Sequence, residues 1–121
     1  MNQLESLEDY LERILMLKER IDFVRSIDIA NDMGFSKPSV SIAMKKLKEK
    51  KYITIDKKGH IYLTEEGYEI AAKTYEKHKI ISSVLIKIGV SEETAKDDAC
   101  KIEHEISEET FEKLKEFVNK K

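Results

Sequence analysis

The chain has 121 residues, 40% of them hydrophobic and 38% charged, with a formal net charge of −2. That length supports one compact core, or two small units sharing one, and excludes two large domains. The near balance of signs excludes a protein that is basic throughout, so any polyanion binding must rest on where charge is placed.

Leu4, Leu7, Leu11, Ile14, Leu15 and Leu17 recur at three-to-four spacing, and Ser6 followed by Asp9 can cap a start, so a first helix is expected from about Leu7 to Arg20. Asp9 and Glu12 share one face of it. Ser26 opens a short second helix, which Gly34 ends by accepting a left-handed backbone. Ser36 then caps a third, with Pro38 in its first turn, Val40, Ala43, Met44 and Leu47 as the buried stripe, and an end near Lys50. Tyr52–Ile55 and Ile61–Leu63, separated by Asp56-Lys57-Lys58-Gly59-His60, predict a hairpin with two lysines at its tip.

Thr64-Glu65-Glu66-Gly67 restarts a long helix that reaches Gly89. Ser91 and Ser107, each followed by two glutamates, start a fifth helix running through His104 and a final one carrying Phe111, Leu114, Phe117 and Val118. The most apolar run, Ile80–Val90, is interrupted by Ser82, Ser83, Lys87 and Gly89 and is too short to span a bilayer. The acidic start lacks a secretory pattern, and a single cysteine cannot form an internal disulfide. A cytoplasmic location without a membrane partner is expected.

Helix, short helix, Gly34 turn, Pro38 helix and lysine-tipped hairpin is the order of a winged helix-turn-helix, whose third helix enters the major groove. Charge placement agrees, because Ser36–Ile61 holds eight lysines against Glu49 and Asp56. The expected fold is mainly α: residues 1–65 form a winged helix-turn-helix of three helices plus a β-hairpin wing, and residues 66–121 form an α-helical metal-binding and dimerisation domain. Candidate DNA contacts are Ser36, Lys37, Pro38, Ser39, Ser41 and Ile42 at or near the start of the reading helix, with Lys45, Lys46, Lys57 and Lys58 holding phosphates. One module binds modestly, so a homodimer presenting two reading helices to double-stranded operator DNA is expected, with the C-terminal helices as its interface.

Cys100-Lys101-Ile102-Glu103-His104 places a thiol, a carboxylate and an imidazole at helical spacing. Together they offer three ligands to one divalent transition metal, soft enough to disfavour magnesium and calcium. Asp9 and Glu12 on the first helix and His78 in the middle of the fourth add further candidates. A metal-dependent hydrolase is the rival reading, as is a winged-helix DNA-binding or protein-interaction module without metal control; no small organic substrate is indicated.

Asp9-Tyr10-Leu11-Glu12, the Ser26–Lys50 helix-turn-helix, Lys77-His78 and Cys100-x-x-Glu103-His104-x-Ile106-Ser107 together resemble the metal-dependent repressors typified by the diphtheria toxin repressor and the manganese transport regulator. The resemblance covers nearly the whole chain in one order. It implies a metal-responsive repressor of metal-uptake genes, not an enzyme, whose ligands are Asp9, Glu12, His78, Cys100, Glu103 and His104 and whose corepressor is Mn²⁺ or Fe²⁺, with Zn²⁺ or Co²⁺ possible in vitro. It also implies a hybrid ligand set: aspartate at position 9 and Glu12 match manganese-type members, whereas Cys100 matches iron-type ones. Ser82 and Lys96 replace an ancillary-site glutamate and histidine of iron-type members. Ile42 replaces a glutamine that contacts DNA there, and an appended barrel resembling an SH3 fold is expected to be absent.

Overall fold

The computed structural model describes residues 3–120 and is mainly helical, with one two-stranded antiparallel sheet. Among the described residues the order is α1 (Gln3–Lys18), α2 (Ser26–Met33), α3 (Lys37–Glu49), β1 (Ile53–Ile55), β2 (Ile61–Leu63), α4 (Glu65–Lys87), α5 (Glu92–Ile102) and α6 (Glu108–Asn119). Two compact units result, Met1–Ala72 and Lys73–Lys121, and the division falls inside α4.

In the first unit, α1, α2 and α3 pack pairwise, and the hairpin joins them through contacts of β1 with α3 and of β2 with α1. Leu11, Ile14, Val24, Ile29, Val40, Leu47 and Ile61 are fully buried there. The helix-turn-helix follows from its residues. Arg25 is the extended N-cap of α2, where the Asp28 carboxylate accepts its backbone N–H at 2.9 Å. Gly34 closes α2 at φ 72°, and Ser36 caps α3 by accepting from the Ser39 N–H, with Pro38 in the first turn.

The wing pairs Ile53 with Leu63, Thr54 with Tyr62 and Ile55 with Ile61. The Asp56 carboxylate sets its turn by accepting from the backbone N–H groups of Lys58 and His60, each at 2.9 Å. Val24 makes an isolated antiparallel bridge to β2, its carbonyl accepting from the Ile61 N–H at 2.8 Å. Gly67, in the first turn of α4, allows that helix to lie against the residue that precedes β1: a Cβ there would come 1.9 Å from the Tyr52 carbonyl oxygen.

Expected boundaries move in three helices: α4 ends at Lys87, short of Gly89, and α1 and α5 differ more. α1 starts at Gln3 and ends at Lys18, so Ser6 lies within the helix, because Leu4 and Glu5 are good helix formers that continue it toward the N-terminus. The burial of Leu4 and the side-chain capping role of Ser6 lie outside the described residues. α5 ends at Ile102, not beyond His104. The Ile102 carbonyl accepts from Glu105 and Ile106, and Ser107 caps α6 by accepting from Thr110, so the chain turns within a few residues.

Candidate metal centre and nucleic-acid face

α4 and α5 position the core of the candidate site. His78 lies on the buried stripe of α4 with Thr74, Ile81 and Ser82, and is 8% exposed. Cys100 is in the last turn of α5, and Glu103, its C-cap, is 2% exposed. His78 Nδ1 is 3.7 Å from both Cys100 Sγ and Glu103 Oε1, and the ligand atoms of the three lie within 4.8 Å of one another. His104, in the turn after α5, places Nε2 4.0 Å from Glu103 Oε1. The end of α5 therefore separates roles expected on one helix face: Cys100 is held by the helix, Glu103 by its cap and His104 by the turn.

Hydrogen bonding to the Cys100 sulfur, then to Glu103, raises the pKa of His78 to about 10 against a desolvation that opposes it. The His78 imidazolium, facing a thiol and a carboxylate, holds a proton in the place that an ion bound to these donors would take. The donor set fits a divalent transition ion, since it combines a soft sulfur, an imidazole nitrogen and a carboxylate oxygen in a largely buried setting. Lys96 instead pairs with Glu92 across the surface of α5 at 3.1 Å.

On α1, Asp9 and Glu12 are one turn apart; Asp9 is half-buried and Glu12 is 4% exposed. Burial, reinforced by the charge of Asp9, pushes the Tyr10 hydroxyl above its ordinary value, as a nearby carboxylate should.

The candidate nucleic-acid residues all lie on solvent-facing positions. Ser36, Lys37, Pro38, Ser39, Ser41, Ile42, Lys45 and Lys46 are exposed on or just before α3, and Lys57 and Lys58 are exposed at the wing tip. Ser36 also donates to the Ser39 hydroxyl at 2.8 Å, so these two hydroxyls help build the helix start. Sequence reasoning did not single out Phe23 and Arg25. Phe23 stacks on His60 with centroids 4.4 Å apart, and Arg25 Nη2 lies 3.4 Å from His60 Nε2, which brace the wing from outside the hairpin. The only sequence signal was an apolar and basic pair flanking Val24. His60 itself is a satisfied wing residue, its ring Nδ1 being 3.4 Å from Asp56.

A winged helix-turn-helix continuing through one helix into a unit that gathers thiol, imidazole and carboxylate defines a DNA-binding regulator under metal control. Comparison with known proteins supports that class. Residues 3–61 match the family model described as the iron dependent repressor N-terminal DNA binding domain, and residues 64–121 match its metal binding and dimerisation domain. The chain belongs to the iron dependent repressor family, whose members are transcriptional repressors and not enzymes, so the hydrolase reading falls.

Among relatives, the uncharacterized HTH-type transcriptional regulator MJ0568 of Methanocaldococcus jannaschii is 39% identical over 118 residues, covering 96% of this chain and 94% of its own. The transcriptional regulator MntR of Escherichia coli is 34% identical over 116 residues, covering 96% of this chain and 75% of its own. The solved structure of the manganese regulator SloR superimposes with a TM-score of 0.82 at 32% identity, covering 93% of this chain. This chain spans 53% of the SloR chain.

Proposed function

We propose that this chain is a metal-responsive transcriptional regulator that binds double-stranded operator DNA as a homodimer in the cytoplasm and represses metal-uptake genes, with Mn²⁺ or Fe²⁺ as corepressor. The observation that carries this reading is the convergence of His78, Cys100 and Glu103 within 4.8 Å, in a chain whose α3 and wing expose lysines. Asp9, Glu12 and His104 complete the proposed ligand set. The likeness to SloR, named a manganese regulator, and the match to a family domain described as metal binding support the metal reading, and the DNA-binding family domain over residues 3–61 supports the operator. Duplex DNA is the proposed target in preference to a membrane or a small organic substrate.

Bound to these residues, a divalent ion supplies positive charge that offsets their carboxylate and thiolate charges. Asp9 and Glu12 belong to the same proposed ligand set as the residues carried by α4 and α5, and without the ion like charges within such a set repel one another. α4 itself offers a route, since Gly67 sets it against Tyr52 beside the wing and His78 lies eleven residues further on in the same helix. Restricting these helices favours the reading-head arrangement that fits DNA. DNA must in turn tighten metal binding by the same factor, a coupling of about 1–3 kcal/mol.

Fluorescence anisotropy on duplex DNA from the chain's own gene neighbourhood, with Mn²⁺, anaerobic Fe²⁺, Zn²⁺ or no metal, tests this directly. Operator affinity should rise about 5- to 150-fold with the corepressor. Equal affinity in all four conditions would leave a winged-helix module without metal control. Cys100→Glu replaces the soft donor with a hard one and should move the response toward Mn²⁺. Identical metal-response profiles would remove Cys100 from the ligand set.

A further inference from the structure

α3 buries Val40, Ala43, Met44 and Leu47, which fixes the rotation of the helix about its axis. At 100° per residue the centre of the opposite face falls at Pro38, Ile42, Lys45 and Glu49. Ile42 is 59% exposed there, a β-branched apolar side chain at the middle of the face that would meet base edges. Exposed Lys45 and Lys46 follow it on the same helix, Lys37 precedes it, and Lys57 and Lys58 tip the wing. The charge of this surface is complementary to a phosphate backbone, so the occupant it fits is duplex DNA.

We propose that Ile42 is a specificity-determining residue of the reading helix, selecting thymine through its C5-methyl group; this rests on the operator-binding reading above. Isoleucine has no side-chain donor or acceptor. Set against guanine, adenine or cytosine in the major groove, it strips water from the N7, O6, N6 or N4 groups and returns no hydrogen bond. Against thymine it covers the C5-methyl, the one methyl group and the largest apolar group on any major-groove base edge. Selection therefore comes from attraction to one base and from an unmet hydrogen-bonding group on the others. Ser36 and Ser39, whose hydroxyls are engaged with each other at the helix start, keep α3 in place without competing for that position.

The test begins with duplexes selected by the intact protein from a random pool in the presence of Mn²⁺ or Fe²⁺. Each thymine of the selected site is then replaced by uracil, which removes only the C5-methyl group. Anisotropy should show one thymine per half-site at which uracil weakens binding about fourfold, the worth of one buried methyl group. Exchanging that T·A pair for C·G should cost about tenfold or more. Ile42→Ala, at an exposed position that leaves the core intact, should bind thymine and uracil duplexes within twofold of each other. Ile42→Gln should instead select adenine there, through paired hydrogen bonds to N6 and N7. Uracil tolerated at every position, or discrimination unchanged in Ile42→Ala, would overturn the inference while leaving the operator-binding reading standing. A pool that yields no enriched sequence with either metal would overturn both.

Discussion

The interiors of the two units are built from different chemistry. The first unit closes mainly over aliphatic side chains: Leu11, Ile14, Val24, Ile29, Val40, Leu47 and Ile61 are all fully buried, with Glu12 and His60 as its buried ionisable groups. The second buries Ile81, Ala95, Ala99 and Phe111 but also encloses His78, Ser82 and Glu103. Apolar burial stabilises by area, whatever the solution conditions. Buried ionisable groups contribute only when each charge has a counterpart, which makes their stability conditional on protons or metal. The difference teaches where response can reside: the aliphatic core of the first unit is held by contacts that ligands do not alter, whereas buried Glu12 on α1 and the polar interior of the second unit are what an ion can change.

The largest expected effect tests the apolar side of this contrast. Leu11→Ala should cost about 2–5 kcal/mol of unfolding free energy, seen as a lower urea midpoint, and the loss should be the same with and without metal. A loss that metal rescues would mean that the first unit is conditional too.

A middle-sized effect tests the polar side. Because the His78 pKa is raised to about 10, its imidazole is protonated at neutral pH and must release that proton to bind a metal. Apparent metal affinity should climb by up to tenfold per pH unit between roughly pH 6.5 and 9. Calorimetry in two buffers of different ionisation enthalpy should show a proton released that His78→Gln does not release. For the metal-free fold the sign is opposite: the His78 pairing contributes fully below the ordinary histidine value and is lost as pH rises through about 10. The protein without metal should therefore weaken at alkaline pH, and the metal-bound protein should not.

The smallest effect belongs to the wing, which contrasts with the metal-free second unit. The Asp56 pKa is lowered, first by the His60 backbone N–H, then by that of Lys58, the His60 ring and the Tyr62 hydroxyl. A lowered carboxyl contributes stability above its ordinary value and loses it as pH falls through the lowered one. Asp56→Asn should thus cost a little at neutral pH in thermal melts, and nothing in strong acid. A cost independent of pH would show that turn geometry, not charge, is what Asp56 provides.

Much of the fold was legible because capping and turn chemistry are local. Ser36, Ser91 and Ser107 each cap the helix expected of them, Gly34 takes the left-handed backbone at the turn, and the hairpin spans the expected residues within one position. The extent of α1 and the end of α5 were less legible. At Ser6 a capping pattern competes with good helix formers before it, and at Glu103 nothing in the spacing announces that Ile102 is the last helical residue. The Val24 bridge to Ile61 and the Phe23 stack on His60 join segments too far apart in sequence for any local pattern to reveal.

The sequence by itself determined the element order, the lysine-rich reading head and the kinds of donor atom available, since propensity, capping and charge are properties of neighbouring residues. It also placed Ile42 among the candidate DNA contacts of the reading helix. Only the tertiary structure decided that His78, twenty-two residues from Cys100, comes within 3.7 Å of it and of Glu103. That depends on how helices rotate to bury their apolar faces. That rotation is settled by packing against other elements, which no local stretch of sequence contains.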